Sequence, residues 1–452
     1  MITKIEVDGF KSLKDFDLNL HQGLNILVGP NGAGKTNIIL FFEFLSNIAK
    51  HQIGNAISNV GGAGMIFQKI GKDDYAKEII SKIYGSFQLS PKKFIVYEYS
   101  FTITISFEKD NVYYSHQQLK LRTTTKFWEN PDSKNYRLKW DLDILMKVFD
   151  DDTKYNIDLI SFNTKKIESR FIQTKSKKSK DVENVIMNIM HGQNPMYNSI
   201  VKCLFPFADV TYPVYNDLIG GETFNVVPSK VRELEDSATP PGIKKDGSGL
   251  ATTLYAMKKS KTRQNERNQR FWYYFEEPER SFNPSTLGKI INFLRAANST
   301  IKALDVDNDP FNNKLIVKIT IQTGDYEAVL PLSSMSDGTI KWLTLITAIL
   351  TSKTIFSIEE PENFLHPWMQ AEIAKIMRNH LIEKETQSFV LMTTHSESLL
   401  NHSKPEEIII VDLNDGKTKA RRISNLSAIK EEISNSGFGL GHFYFSNALS
   451  ND

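Results

Sequence analysis

The chain has 452 residues, enough for about two to three domain-sized units, and its formal net charge is +2. A nearly neutral balance excludes a strong overall attraction to nucleic acid or to a lipid surface, so any basic footprint must be local. With 40% hydrophobic residues, the composition is typical of a globular protein. A single cysteine, Cys203, excludes an internal disulfide framework. The N-terminal segment has no apolar signal core and no apolar run is long enough to span a bilayer, so we expect a cytoplasmic protein without a membrane partner.

The first fifty residues predict two strands, a turn, a buried third strand and a helix. Residues 2–10 alternate between apolar and polar side chains, and a buried run ends at Gly29. Residues 36–50 then have the apolar spacing of a helix. A glycine-rich loop therefore joins a strand to a helix.

That loop reads GPNGAGKT, a full match to the pattern of a phosphate-binding loop in its expected setting. Glycines let backbone amides close around phosphate oxygens, and the following helix adds the positive end of its dipole. Lys35 is expected to reach the β- and γ-phosphates of ATP, and Thr36 to offer its hydroxyl to Mg²⁺. The nucleotide-binding candidates in this segment are Gly29, Pro30, Asn31, Gly32, Ala33, Gly34, Lys35, Thr36 and Asn37.

A second set of candidates lies between residues 335 and 412, where helices and strands alternate as in an α/β sheet. The strand IFSIEE ends in Glu359, expected to hold the Mg²⁺ shell, and Glu360, expected to polarise the attacking water. A later buried strand ends near His395, which could contact the γ-phosphate. Taken alone, such carboxylates are often only solvated and such a histidine only structural. A metal site built from Glu362 and His366 is an alternative.

The segment MSDGT, residues 335–339, places a serine, an aspartate and a glycine at the start of an apolar helix. Read alone, it is an ordinary helix N-cap. A hydroxyl, free amides and a dipole end at one place can also bind phosphate. Its position far along the chain from the first glycine-rich loop raises the question of which nucleotide it would serve.

These motifs, in this order, resemble the ATP-binding-cassette (ABC-type) ATPases. They are most similar to the RecF/SMC-like branch, which includes the AAA-type ATPases of the overcoming-lysogenisation-defect kind and other bacterial defence ATPases. GFKSL near the start, PENFLHP after the carboxylates and HSKPEEIIIVD near the end are also typical of that group. The resemblance is strong over residues 1–70 and 325–445 and weak between them.

The resemblance implies an α/β fold: a P-loop NTPase head of the ABC type, with a mixed central sheet, an antiparallel β layer and a helical lobe. The head is expected to be discontinuous, from residues 1–125 and 325–452, with a helical or mixed insertion at 126–324. In this family two copies pair head to tail, and each ATP is held between the phosphate loop of one copy and the signature turn of the other. The implied signature residues are Ser336, Asp337 and Gly338.

The resemblance also implies that Glu360 is the general base and His395 the switch residue. Gln68 is the candidate for the glutamine that senses Mg²⁺, and Lys11 is a further nucleotide-binding candidate. One departure concerns Glu359, where many relatives have Asp, because the extra methylene could alter Mg²⁺ geometry and slow hydrolysis.

Three biological roles fit the sequence. The first is the sensor or regulator of a two-component anti-phage defence system that controls a separately encoded effector such as a nuclease, because no nuclease domain is expected after residue 445. The second is a DNA-binding ATPase of repair, for which the basic stretches 258–270 and 175–180 are the candidate contacts. The third is an ATP-dependent scaffold with little hydrolysis.

Overall fold

The structure is a computed structural model and describes residues 1–72, 74–106, 111–125, 139–149, 154–163, 166, 179–204, 211–260, 282–352, 355–383 and 388–446. Its strands are β1 (Ile2–Asp8), β2 (Phe16–Asn19), β3 (Gly23–Val28), β4 (Glu78–Ser90), β5 (Lys93–Ser106), β6 (Asn111–Thr124), β7 (Leu142–Phe149), β8 (Lys154–Phe162), β9 (Glu222–Phe224), β10 (Glu235–Asp236), β11 (Ile301–Asp309), β12 (Lys314–Thr323), β13 (Tyr326–Pro331), β14 (Ile355–Glu359), β15 (Phe389–Thr393), β16 (Ile408–Asn414) and β17 (Lys417–Arg422).

The helices are α1 (Lys35–Lys50), α2 (Ile53–Asn59), α3 (Ala63–Ile66), α4 (Ser179–Gln193), α5 (Ile200–Leu204), α6 (Tyr212–Ile219), α7 (Pro228–Val231), α8 (Leu250–Lys259), α9 (Pro284–Ala297), α10 (Asp337–Thr351), α11 (Pro367–Glu383), α12 (Glu397–Asn401), α13 (Leu426–Ser436) and α14 (Leu440–Phe445). In the part of the chain that the structure describes, no helix is long and apolar enough to cross a membrane.

The chain divides into two compact units. The first comprises Met1–Glu222, Gln387–Phe389 and Ile409–Arg422, and the second comprises Thr223–Thr386, Val390–Ile408 and Ile423–Asp452. The sequence-based division into a discontinuous head and an insertion at 126–324 stays a prediction.

The first unit contains a seven-stranded antiparallel sheet in the order β2-β1-β4-β5-β6-β7-β8. Three further strands of this unit are neighbours in the order β17-β16-β3. Helix α1 follows β3 and buries an apolar face, as its spacing of bulky residues predicts. Phe10 is fully buried against this helix, with its ring centroid 5.3 Å from that of Phe41 and 5.6 Å from that of Phe44. These aromatic contacts place the middle of α1 in the core.

In the second unit, β12 pairs antiparallel with β10, β11 and β13. Strands β15, β14 and β9 are neighbours in that order. Helix α10 is buried along its length from Ile340 to Thr351. Three threonines are buried in it: Thr344, Thr347 and Thr351. Each of their hydroxyls donates to the carbonyl oxygen four residues earlier, so all three are satisfied. The α/β fold with an added antiparallel layer and helices, predicted from the sequence, is confirmed.

Candidate functional site

The glycine-rich loop lies in the first unit, between the end of β3 and the start of α1. Gly32 and Gly34 have φ angles of 81° and 102°, a region that side chains with a Cβ rarely adopt. At Gly29 the obstacle is steric, because a Cβ would lie 2.0 Å from the carbonyl oxygen of Val411. The loop therefore requires glycine for its shape, and α1 begins directly after it.

Lys35 is the first residue of α1 and is 7% exposed. Its Nζ donates to the carbonyl oxygens of Gly29 (2.7 Å) and Pro30 (3.0 Å), so the ammonium group lies over the loop. Thr36 is exposed at the next position. A lysine charge and a hydroxyl thus stand at the mouth of the loop, the donor set that phosphate and a hard cation require.

A polar brace that the sequence did not reveal holds the back of the loop. The Thr418 hydroxyl donates to the carbonyl oxygen of Ala33 (3.0 Å) and lies 2.6 Å from the hydroxyl of Ser12. Asn37 donates from its side chain to the same Ser12 hydroxyl at 2.7 Å. A Cβ on Gly34 would lie 2.0 Å from the Thr418 hydroxyl oxygen. Because Thr418 is far from the loop in sequence, no local pattern could have shown this contact.

The main-chain segments that carry Lys11 and Gln68 are hydrogen-bonded to each other in the first unit. Lys11 has a positive φ of 48°, and its amide donates to the carbonyl oxygen of Ile66 at 2.8 Å. The amide of Gln68 donates to the carbonyl oxygen of Gly9 at 2.8 Å. The turn that carries Lys11 is therefore fixed against the segment that carries Gln68. Their roles toward nucleotide and Mg²⁺ stay predictions.

In the second unit, β14 ends at Glu359, and Glu360 follows with a positive φ of 42°. Its amide donates to the Thr393 carbonyl oxygen and to the Thr393 hydroxyl oxygen, both at 3.2 Å. One oxygen of its carboxylate lies 3.9 Å from Nε2 of His395, and the other accepts a hydrogen bond from the Asn363 side chain at 3.0 Å. The Glu360 and His395 side chains are 46% and 36% exposed, so both can reach a solvent-borne ligand.

Glu362 fixes the main chain around His395. Its Oε1 accepts hydrogen bonds from the amide of His395 (2.6 Å) and from the hydroxyl of Thr394 (2.9 Å). Its Oε2 is buried and accepts no hydrogen bond from the residues that the structure describes. Within those same residues no group of three or more His, Cys, Asp or Glu side chains could hold a metal ion. The alternative site of Glu362 and His366 stays a prediction.

The signature turn begins helix α10. Ser336 is its N-cap, and its exposed hydroxyl accepts from the amide of Thr339 at 3.3 Å. Asp337 forms an ion pair of 2.6 Å with Arg232, which also donates to the carbonyl oxygen of Met335 at 2.9 Å. Sequence reasoning missed Arg232, which lies in no motif. At Gly338 a Cβ would lie 2.7 Å from the carbonyl oxygen of Phe364, so this position requires the small residue.

The predicted residues thus form two groups. The phosphate loop, Lys11 and Gln68 belong to the first unit, whereas the signature turn, Glu359, Glu360 and His395 belong to the second. Residues 261–270 and 175–178, which make up most of the two basic stretches, lie outside the described residues.

Comparison with known proteins finds partial similarities. A family model described as "AAA domain" matches residues 4–210, and one described as "AAA domain, putative AbiEii toxin, Type IV TA system" matches residues 297–401. The DNA replication and repair protein RecF of Corynebacterium jeikeium is 32% identical over 54 residues, which are 12% of this chain and 13% of the relative. RecF of Renibacterium salmoninarum is 31% identical over 52 residues, again 12% and 13% of the two chains. In these separate stretches the chain is similar to AAA-domain proteins and to RecF.

The matches to RecF thus span about an eighth of the length of those curated relatives. Two solved SMC heads are also similar to this chain. One, the SMC head bound to the C-terminal winged-helix domain of ScpA, has a TM-score of 0.49 at 13% identity and covers 94% of this chain and 99% of its own. The other, an SMC head with an extended coiled coil bound to the C-terminal domain of ScpA derived from Pyrococcus furiosus, has a TM-score of 0.45 at 15% identity, with 96% and 99% covered.

Proposed function

We propose that this protein binds ATP with Mg²⁺ and hydrolyses it. The loop supports ATP binding, because its left-handed glycines leave room for phosphate oxygens and Lys35 supplies the opposing charge. Thr36, Glu359 and Gln68 are the residues that would hold Mg²⁺, a hard cation that prefers oxygen ligands. Bound Mg²⁺ would neutralise charge on the transferred phosphoryl group.

The contact that carries the hydrolysis proposal joins Glu360 to His395, with Oε1 and Nε2 3.9 Å apart. Glu360 would accept the proton of the attacking water, and His395 would orient that water or contact the terminal phosphate. Asn363 holds the second carboxylate oxygen, so the first is left to face the water. A fixed main chain, with the Glu360 amide bound to Thr393, keeps this carboxylate in place.

We further propose that two copies close head to tail over two ATP molecules. Ser336 is exposed at the N-terminus of α10, where it can cap a γ-phosphate bound to another copy. One helix N-terminus contributes only about 0.3–2 kcal/mol, so a single turn cannot hold a nucleotide alone. Two such turns, one at each of two nucleotides, each add a contribution of this size to the free energy of association. Because ADP lacks the γ-phosphate, hydrolysis would remove this bridge and change the geometry of the pair.

A mixing experiment tests the composite site. Lys35→Ala protein lacks the charge on its phosphate loop, and Ser336→Arg protein has a blocked signature turn, so each alone should be inactive. Mixed in equal amounts, they can form one intact site, with the phosphate loop of the Ser336→Arg protein and the signature turn of the Lys35→Ala protein. Phosphate release by the mixture supports the proposal, and a mixture as inactive as its parents refutes it.

For the biological role we propose regulation of a separately encoded effector such as a nuclease, within an anti-phage system. Support comes from the match of residues 297–401 to an AAA model whose description names a type IV toxin–antitoxin system. Co-purification from the native operon tests this role, since a nuclease that binds only with ATP present is the expected outcome.

A role in DNA repair is the second candidate, favoured by the similarity to the DNA replication and repair protein RecF. If duplex DNA binds directly, its affinity should fall steeply as salt rises, because phosphate contacts release counterions. Affinity that does not change with salt, or no binding, would exclude this role. The scaffold alternative, suggested by Glu359, requires ATP to remain bound without measurable phosphate release.

A further inference from the structure

Helix α10 carries a buried lysine that the proposed reaction does not use. Lys341 lies little more than one helical turn after the signature serine and is 2% exposed, among the largest fully buried side chains in the described residues. Burial lowers its pKa to about 8, and the negative charges of Glu362 and Glu360 act in the opposite direction. Placing an ammonium group in such a site is costly unless it is bonded. We therefore expect the Lys341 ammonium group to have a specific hydrogen-bond partner.

The hydrogen-bond partner is the main chain of the proposed catalytic base. Lys341 Nζ donates to the carbonyl oxygen of Glu360 at 3.0 Å. On the other side of the same residue, the Glu360 amide is held by Thr393. Glu360 has a positive φ, a conformation that is unfavourable for a non-glycine residue and persists only where surrounding contacts impose it. Lys341 and Thr393 are two such contacts.

A second contact joins the same helix to the same loop. Gly338, inside the signature turn, packs so closely on the Phe364 carbonyl oxygen that a Cβ would not fit. Lys341 Nζ also lies 5.8 Å from the centroid of the Phe364 ring. The N-terminal part of helix α10 thus contacts both ends of the loop from Glu360 to Phe364. A displacement of the signature turn must therefore be transmitted to that loop.

We propose that Lys341 is a positioning residue that ties the signature helix to the main chain of Glu360 in the same chain. This inference rests on the proposed function. When the signature turn of one copy closes on the nucleotide held by the other copy, the shift reaches Glu360 of its own chain through Lys341. The two ATP sites of the pair are thereby coupled, so that occupancy of one site raises the activity of the base of the other, and a pair with one working site keeps part of the wild-type rate.

The first test compares full-length Lys341→Met, which has similar length but no charge or donor, with Lys341→Gln, which keeps a donor. For Lys341→Met we expect kcat to fall about tenfold to a hundredfold, as for misplaced catalytic groups, with the Kd for Mg²⁺–ATP within about twofold of wild type. Lys341→Gln should recover part of the loss, and thermal unfolding shows that both are folded. An unchanged kcat, or equal losses in kcat and ATP affinity, would overturn the inference.

The second test places Lys341→Met in one partner of the Lys35→Ala and Ser336→Arg mixture. The surviving site uses Glu360 of the Ser336→Arg chain and the turn of the Lys35→Ala chain. Lys341→Met added to the Ser336→Arg chain should therefore abolish most of the activity, whereas in the Lys35→Ala chain at least half should remain. The opposite pattern would mean that Lys341 only supports the signature turn, and equal losses would mean a general packing role; either refutes the inference.

The two proposals fail in different ways. If the mixture without Lys341→Met is inactive, the composite site is refuted, and coupling between copies is refuted with it. The uniform Lys341→Met protein still decides whether Lys341 positions Glu360, because a lower kcat at unchanged ATP affinity does not depend on a second copy. If the parent mixture is active and both placements leave it unchanged, only the role of Lys341 is refuted.

Discussion

Arg232 and Asp337 form an ion pair of 2.6 Å at the entrance to helix α10. Arg232 also donates from NH2 to the Met335 carbonyl oxygen at 2.9 Å, so it bonds both the charge and the backbone of the signature turn. An aspartate beside a phosphate would repel it. The guanidinium group therefore has two tasks: it neutralises Asp337 and holds the turn in shape.

Arg232→Ala should weaken the use of ATP more than it weakens the fold. The pair is partly exposed, so its loss costs at most about 1 kcal/mol of stability, while an uncompensated Asp337 should raise KM for ATP about fivefold. Steady-state phosphate release and thermal unfolding measure the two effects. Lys230→Ala is the matched control, because Lys230 forms an exposed pair with Glu233 nearby. Equal effects of the two substitutions on KM would contradict the role assigned to Arg232.

Gly34→Ala should disable the phosphate loop. The new Cβ would lie 2.0 Å from the Thr418 hydroxyl oxygen at a φ of 102°, so either the loop or β17 must move. We expect the free energy of unfolding to fall by about 1–3 kcal/mol and ATP binding to fall more than tenfold. Calorimetric titration with Mg²⁺–ATP and chemical denaturation check both. Gly288→Ala, in the exposed middle of α9 with nothing within 4 Å, should instead stabilise by about 0.5–1 kcal/mol.

Glu360→Gln should separate binding from turnover. The amide can still bond to Asn363 but cannot accept a proton, so phosphate release should fall by about 10²–10³ while ATP remains bound. Head-to-tail pairs should then accumulate with ATP and dissociate with ADP, as measured by size-exclusion chromatography with light scattering. Glu372→Gln is the control, since Glu372 contacts only the exposed Lys375 among the contacts described. A variant that still hydrolyses ATP at the wild-type rate would exclude Glu360 as the base.

The buried cysteine gives a pH-dependent prediction. Cys203 in α5 is 1% exposed, and burial raises the pKa of its thiol to about 12. The native thiol should therefore react very slowly with a disulfide reagent at pH 8, and rapidly once the protein unfolds. A raised folded-state pKa contributes stability that is complete below the ordinary thiol pKa and is lost as pH rises toward 12. Between pH 9 and 12, Cys203→Ala should lose less stability than the wild type does.

Local patterns were sufficient where a motif and its setting lie close together in sequence. The phosphate loop was predicted between a strand and a helix because the apolar period changes at Gly29, and α1 begins at Lys35, within one residue of the expected start. The signature serine was recognised as an N-cap from five residues alone, and its hydroxyl does cap α10. Such features depend on neighbours within one or two turns of chain.

Features that depend on distant residues were not predictable in this way. Strands β7 and β8 extend the first unit's sheet, yet the sequence indicated only a helical or mixed insertion there, because the register of these strands is imposed by pairing with neighbours. Arg232 was missed because its partner Asp337 lies more than a hundred positions away, and nothing near Arg232 marks it as special. The positive φ of Glu360 also has no local signal, since it is imposed by Thr393 and Lys341.

The Thr418 brace behind the phosphate loop has a consequence for the timing of synthesis. Thr418 is 385 residues from Ala33, whose carbonyl oxygen it binds. While a ribosome is still translating the chain, β3 and α1 emerge long before their brace exists. In a nascent chain the phosphate loop therefore lacks its Thr418 brace until β17 has left the exit tunnel. Nucleotide capture becomes a late event in the maturation of each molecule.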